Sequence, residues 1–224
     1  MGASSNKGGN GNNGINDSFH FPTSKQALII FVRNPELGKC KTRLAATIGD
    51  KAALQVYEYL LQHTATICTD VEADKYVFYS ETIKKADYWC TSIFKKRLQR
   101  GKDLGERMQH AFKELFDMDY KKVMIIGSDM LELNSEIVMD AFEKLDRHDV
   151  VIGPAVDGGY FLLGTNKLHP EIFENKVWST STVLQRTMDD LKKYDICLLM
   201  ELNDIDTFED MEHYTALKKF YEKP

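Results

Sequence analysis

Cysteine is scarce in this chain, long apolar runs are missing, and there is no excess of positive charge. The four cysteines, Cys40, Cys68, Cys90 and Cys197, form no Cys-x-x-Cys pair, and no histidine stands at ligand spacing from any of them. That pattern argues against structural zinc and suits a reducing compartment better than a disulfide framework. The longest apolar runs, such as Ala27 to Val32, fall far short of the ~20 residues that a membrane-spanning helix needs. No basic stretch followed by an apolar one opens the sequence as a secretory signal would. These absences point to a cytoplasmic protein without a membrane span. The formal net charge is −5, which removes the basic surface that general nucleic-acid binding runs on. A local phosphate pocket stays open, since a few cations reverse the field where they cluster. A P-loop is absent as well: Gly38-Lys39 is followed by Cys40, and no glycine precedes at the required distance.

What is present describes an ordinary globular domain. The chain has 224 residues, 43% hydrophobic and 28% charged, enough for one domain with a proper core. Residues 1–24 are rich in Gly, Asn and Ser and nearly free of aliphatic side chains, the composition of a disordered leader. From residue 25 onward no linker divides the chain, so 25–224 reads as a single domain. Short apolar runs recur at Ala27–Val32, Tyr76–Tyr79, Val123–Ile126, Val150–Ile152, Tyr160–Leu163 and Ile196–Met200. Runs of this kind suit strands covered on both faces. Between them lie stretches of helical period. Leu104, Met108, Ala111, Phe112 and Leu115 share one face, and so do Ala53, Val56, Tyr57, Leu60, Leu61 and Thr64. Strands alternating with amphipathic helices predict an α/β fold with a mostly parallel central sheet and helices on both sides.

Open sheets of this type bind ligands beyond the carboxyl ends of their strands, so the residues after each run deserve scrutiny. After the first run, Pro35 and Gly38 mark a loop, and Lys39, Lys41 and Arg43 cluster where a helix begins. Cations beside free backbone N–H groups favour phosphate, against the plainer reading of a solvated basic turn. Further on, Gly101 and Gly105 bracket Asp103. Asp103 and Glu106 read as an N-cap and its partner, while the two glycines with Arg107 leave open either a glycine-lined approach for a base or ribose or a tight turn. After Val123–Ile126 comes Gly127-Ser128-Asp129, a carboxylate able to reach into the cleft. A second acidic group, Asp204 and Asp206, follows the last run. Two hard-oxygen ligands from separate strand ends suit Mg²⁺ or Mn²⁺. Against this, Asp206 with Glu209 also reads as a helix N-cap, and spacing alone favours capping for one of Asp204 and Asp206. Asp157-Gly158-Gly159 reads as a hairpin turn that would present Asp157 to a substrate. Ser179 or Thr180 reads as the cap of another helix.

The ordered set Lys39-Cys40-Lys41-Thr42-Arg43-Leu44, Asp103-Leu104-Gly105-Glu106-Arg107-Met108, Gly127-Ser128-Asp129, Gly153 to Gly164 around Asp157-Gly158-Gly159-Tyr160, Trp178-Ser179-Thr180 and Asp204 to Asp210 resembles the bacterial DUF2064 family. The resemblance spans Leu28 to Met211. It implies a three-layer, Rossmann-like GT-A fold of the nucleotide-diphospho-sugar transferase kind. It also implies a nucleotide-sugar or nucleoside triphosphate ligand, a small-molecule acceptor, and Mg²⁺ or Mn²⁺. Asp129 then falls at the family's metal-binding position, with Asp206 preferred over Asp204 as its partner. Lys39, Lys41 and Arg43 become the phosphate-contacting set, with Arg33, Gly101, Leu104, Gly105 and Arg107 lining the nucleotide. Asp157, Gly158, Gly159, Tyr160, Trp178, Ser179 and Thr180 fall beside the transferred group or acceptor. Three positions depart from the pattern: Leu131 where relatives carry Pro, Phe208 in place of another Pro, and Arg33 where Lys is common.

The expected activity is glycosyl transfer, with Lys41 and Arg43 supporting the leaving group and Asp157 taking the acceptor's proton. Nucleotidyl transfer, as in guanylyltransferases, is the alternative. A non-catalytic nucleotide-binding module is the third, motivated by Leu131 and Phe208.

Overall fold

A computed structural model describes residues 22–222. The leader expected over 1–24 lies outside the described residues as far as residue 21. Thr23 and Ser24 lie inside them, and both donate backbone N–H groups to the Asp74 carboxylate, at 2.8 and 3.3 Å.

Among the described residues, seven strands form one sheet: β1 (Gln26–Val32), β2 (Asp74–Tyr79), β3 (Phe94–Leu98), β4 (Lys122–Ile126), β5 (Val150–Pro154), β6 (Tyr160–Thr165) and β7 (Ile196–Leu198). Their spatial order is β3-β2-β1-β4-β6-β5-β7. Neighbours on the β3 side pair parallel, β5 pairs parallel with β7, and β6 alone runs opposite, between β4 and β5. This is the mostly parallel α/β sheet that the alternation of elements predicts. The apolar runs become strands because both of their faces are covered. Leu28 and Ile30 enter one core cluster, while Ala27 and Ile29 enter another on the opposite face.

The helices are α1 (Thr42–Ile48), α2 (Asp50–Thr69), α3 (Leu104–Asp117), α4 (Ser135–Lys144), α5 (Val183–Asp190) and α6 (Phe208–Met211). In α2 the predicted stripe from Ala53 to Thr64 is buried and continues through Ala65 and Cys68. In α3 the stripe is buried except at its first residue. Leu104, the first residue of α3, stays 39% exposed. None of the helices among the described residues is long and apolar enough to cross a membrane. Cys40 and Cys68 are buried as free thiols, and Cys90 and Cys197 are free as well.

A third cluster lies below the carboxyl end of the sheet. Leu44, Ala53, Val56, Leu60, Ile205, Met211 and Leu217 form it, with Leu131, Phe208 and Tyr221 packed against it. The two substituted prolines are therefore absorbed by apolar packing. Phe208 is the first residue of α6, where proline would preset the backbone. Its ring instead meets Tyr221 edge-on, 5.0 Å between centroids.

Candidate active site

Chain geometry around Asp129 explains why distant acidic segments meet. Residues 204–206 run extended beside the segment after β4. Met130 and Asp204 form an antiparallel bridge, and the Ile205 N–H donates to the Asp129 carbonyl at 3.1 Å. Side chains alternate along an extended segment. Ile205 is fully buried in the cluster below, so Asp204 and Asp206, on either side of it, face the opposite way. Neither is spent on a cap. The cap of α6 is Thr207, whose side chain accepts from the Asp210 N–H while the Asp210 carboxylate accepts from the Thr207 N–H. The N-cap reading of Asp206 with Glu209 is thus corrected by one residue.

Lys41 joins the two acidic segments. Its ammonium lies 3.0 Å from Asp129 and 3.7 Å from Asp206, with only 7% of the side chain exposed. Arg43 lies on the outside, 2.8 Å from Asp206. Burial alone would lower the Lys41 pKa. The Asp129 ion pair and hydrogen bond, with Asp206 and Asp204 behind it, raise it instead. The acidic side carries the reverse strain. Partial burial, with Asp129 and Asp157 as like-charged neighbours, pushes Asp204 up to about 6. Asp157 is therefore close enough to be felt by the same cluster. It sits in the expected hairpin, where its Oδ1 accepts the Gly159 N–H at 2.8 Å.

A second feature lies on the β2 side of β1. Arg33, Asn34, Glu36, Lys39, Ser80, Glu81 and Arg107 line a cavity of about 270 Å³. Its floor is held by groups that spacing did not single out. Asn34 is buried, donates from Nδ2 to the Thr82 carbonyl at 2.7 Å, and accepts the Glu81 and Thr82 N–H groups at 3.0 and 3.2 Å. Tyr57, on α2, clasps the other wall. Its hydroxyl accepts from the Arg33 N–H at 2.9 Å and donates to the Arg33 carbonyl at 3.0 Å. Burial pushes that hydroxyl up to about 12. Lys39 is closed onto Glu36 at 2.6 Å on the surface. Of the basic cluster, then, Lys39 faces the cavity, Lys41 the carboxylates and Arg43 the outside.

Several expected residues take other positions. Gly105 is glycine because Trp178 and Phe173 press on it: a Cβ there would lie 2.4 Å from Trp178 Nε1 and 2.5 Å from the Phe173 carbonyl oxygen. Gly101 serves the turn into α3. Its φ is +140° and a Cβ would meet the Arg107 backbone nitrogen at 2.7 Å. Neither glycine lines the cavity, whereas Arg107 does. Asp103 does cap α3 through the Glu106 N–H. The Tyr160 hydroxyl is corrected from acceptor contact to core group. At the first residue of β6 its side chain falls on the face toward α5, and burial beside Thr187 pushes it well up. Ser179 and Thr180 do not cap α5. Helix α5 begins later, after Thr182, with no side-chain cap. Gly158 lies under that same loop: a Cβ would be 2.3 Å from the Ser181 carbonyl oxygen.

The profile of a bacterial family described as "Uncharacterized protein conserved in bacteria (DUF2064)" matches residues 63–180. The chain belongs to the DUF2064 family. Among solved structures, this DUF2064 chain is similar to a Desulfovibrio desulfuricans protein provisionally named nucleotide-diphospho-sugar transferase. The two are 30% identical with a TM-score of 0.80, over 88% of this chain and 93% of that one. Two more distant structures share the fold. One is the 4-diphosphocytidyl-2C-methyl-D-erythritol synthase of Anaerococcus prevotii, at 12% identity and TM-score 0.57, over 87% of this chain and 96% of that one. The other is a CMP:2-keto-3-deoxy-manno-octonic acid synthetase complexed with CTP, at 10% identity and TM-score 0.53, over 88% and 99%. No curated protein matches the chain. The three-layer GT-A-type architecture is thus shared across the set.

Proposed function

We propose that this DUF2064 protein is a metal-dependent transferase that moves a glycosyl group from a nucleotide-diphospho-sugar to a small acceptor. The observation that carries this reading is the buried Lys41 ammonium drawn between Asp129 and Asp206, on the same loop as a cavity that Arg33, Lys39 and Arg107 line together with Glu36 and Glu81. One β1 loop supplies both. A ligand laid along it would have its nucleoside over the β2 side and its diphosphate near Lys41 and Arg43.

Asp129 and Asp206 fit a divalent cation by their chemistry. They are hard oxygen donors that already converge on the Lys41 ammonium. Among the described residues no group of three acidic, His or Cys side chains stands ready to hold a metal. Asp129 and Asp206 would hold the ion as a pair of carboxylates, a small protein ligand set of the kind that suits Mg²⁺. Bound there, the ion would neutralise charge on the leaving diphosphate. Lys41 and Arg43 would contribute positive charge to the same oxygens. The sugar's bond to phosphate oxygen breaks, a bond to the acceptor oxygen forms, and Asp157 takes the acceptor's proton.

Release of a nucleoside diphosphate from a nucleotide-sugar, dependent on Mn²⁺, is the expected result. Pyrophosphate released from a nucleoside triphosphate, with no nucleotide-sugar turnover, would replace glycosyl transfer by nucleotidyl transfer. Asp157→Asn is expected to cut turnover by about 100- to 10,000-fold and leave nucleotide affinity unchanged. Altered affinity at full turnover would remove Asp157 from the base role.

A further inference from the structure

Three ionic groups that line the β2-side cavity, Arg33, Glu81 and Arg107, keep polar side-chain atoms outside any hydrogen bond or ion pair among the described residues. Among the described residues Glu36 is closed on Lys39, while no ion pair or hydrogen bond engages the Arg33 guanidinium or the Glu81 carboxylate. Arg107 uses only Nε, donating to the Gly101 carbonyl at 3.2 Å, so its two terminal nitrogens are uncommitted. The backbone beneath these side chains is fixed, Glu81 by Asn34 and Arg33 by Tyr57. The cavity therefore presents two guanidinium donors and one carboxylate acceptor from a pinned frame. At about 270 Å³ it falls just below the ~300–1,000 Å³ of whole small-molecule sites, room for a nucleoside and not for a complete nucleotide-sugar.

A pocket devoted to diphosphate gains nothing from an open carboxylate, which repels phosphate. Glu81 instead calls for a partner with adjacent donors, and the guanidinium groups call for adjacent acceptors. Guanine combines both. Its N1–H and N2–H₂ lie side by side, and its O6 and N7 form the pair that arginine reads bidentately. Adenine and cytosine set an acceptor next to their amino group. Uracil flanks its one N–H with two carbonyls that would face Glu81 oxygens. We infer that the nucleotide carried by this protein is a guanosine diphosphate derivative, with Glu81 reading the N1/N2 edge and Arg107 or Arg33 the O6/N7 edge. This rests on the nucleotide-binding reading above.

Calorimetric titration of the full chain with GDP, IDP, ADP, UDP and CDP in Mn²⁺ tests it, with Glu81→Ala and Glu81→Gln alongside. IDP differs from GDP only by the N2 amino group. GDP should bind the wild type roughly 5- to 100-fold more tightly than the other four, the range of one good bidentate contact. In Glu81→Ala the advantage of GDP over IDP should vanish. Glu81 is exposed, so unchanged melting temperatures would show both variants folded. Tighter binding of another nucleotide overturns the base assignment while leaving the transferase reading intact. An equal loss for all five in Glu81→Ala also overturns it, because it places Glu81 on the ribose. Failure of every nucleotide to bind removes the transferase reading together with this one.

Discussion

Lys41 occupies a left-handed backbone position, φ 50° and ψ 44°, as the residue that opens α1. Few residues with a Cβ adopt that region without compensation. Here the compensation is electrostatic, because the turn aims a long side chain back between Asp129 and Asp206. Lys41→Met should therefore unmask the carboxylates against one another. Breaking a fully buried pair costs about 3–5 kcal/mol, but Asp129 and Asp206 are 37% and 32% exposed. Solvent screening brings the expected loss down to about 1–3 kcal/mol. In chelator the variant should melt below wild type, and Mn²⁺ should restore more stability to it than to wild type. Equal metal responses would mean that the carboxylates do not share a cation. Asp204 carries a second prediction. Its folded-state pKa, about 6, lies above the ~3.9 of an unfolded aspartate. The folded protein then binds the extra proton, so this group's penalty is fully present above pH 6 and is relieved as pH falls toward 4. Asp204→Asn should be more stable than wild type at pH 7.5 and no more stable at pH 4. Denaturant titrations at the two values read the difference.

The elements divide into those that periodicity reveals and those that only packing decides. Strands β1, β2, β4, β5 and β6 are legible because a run covered on both faces must be apolar throughout. The buried stripes of α2 and α3 are legible for the same reason. Caps are not. Thr207 outcompetes Asp206 because the pairing of Ile205 with Asp129 sets where the extended segment stops. The direction of the Tyr160 side chain is equally hidden, since a one-residue change in register reverses it. Of the candidate site, the convergence of residues 129 and 206 on the turn at 41 follows from the strand-end rule. Asn34, Tyr57, Glu81 and the acidic strain on Asp204 depend on neighbours far away in sequence. The loop before α5 illustrates the same limit. Gly105 and Gly158 read as ligand-lining glycines, yet both lie beneath residues 173–181. Gly105→Ala should push Trp178 and Phe173 outward, at about 1–3 kcal/mol of stability, with a shift in tryptophan emission. A silent spectrum with full stability would show that the loop yields freely.

Viewed as a whole, the molecule carries a polar anchor at the pole opposite the cleft. Asp74 opens β2, and its carboxylate accepts from Thr23, Ser24 and the Tyr120 hydroxyl, the last at 2.6 Å, with Lys95 at 3.1 Å. It thereby ties the segment before β1 to β2, to β3 and to Tyr120 in the turn that leads into β4. Burial alone would raise its pKa. Hydrogen bonds from Thr23 and Tyr120, with Lys95, more than offset this and hold the group well below the usual carboxylate range. A depressed folded pKa contributes stability that is fully present above the unfolded value near ~3.9 and is lost as pH falls below it. Asp74→Asn should thus cost about 1.5–3 kcal/mol at pH 7. The gap from wild type should hold down to pH 5 and narrow below pH 4. Since β1 and β2 carry the cavity only at their far ends, nucleotide affinity of the folded variant should match wild type. A changed affinity would mean that the two poles are coupled through the sheet, and that strand position, more than the loops, sets the cleft.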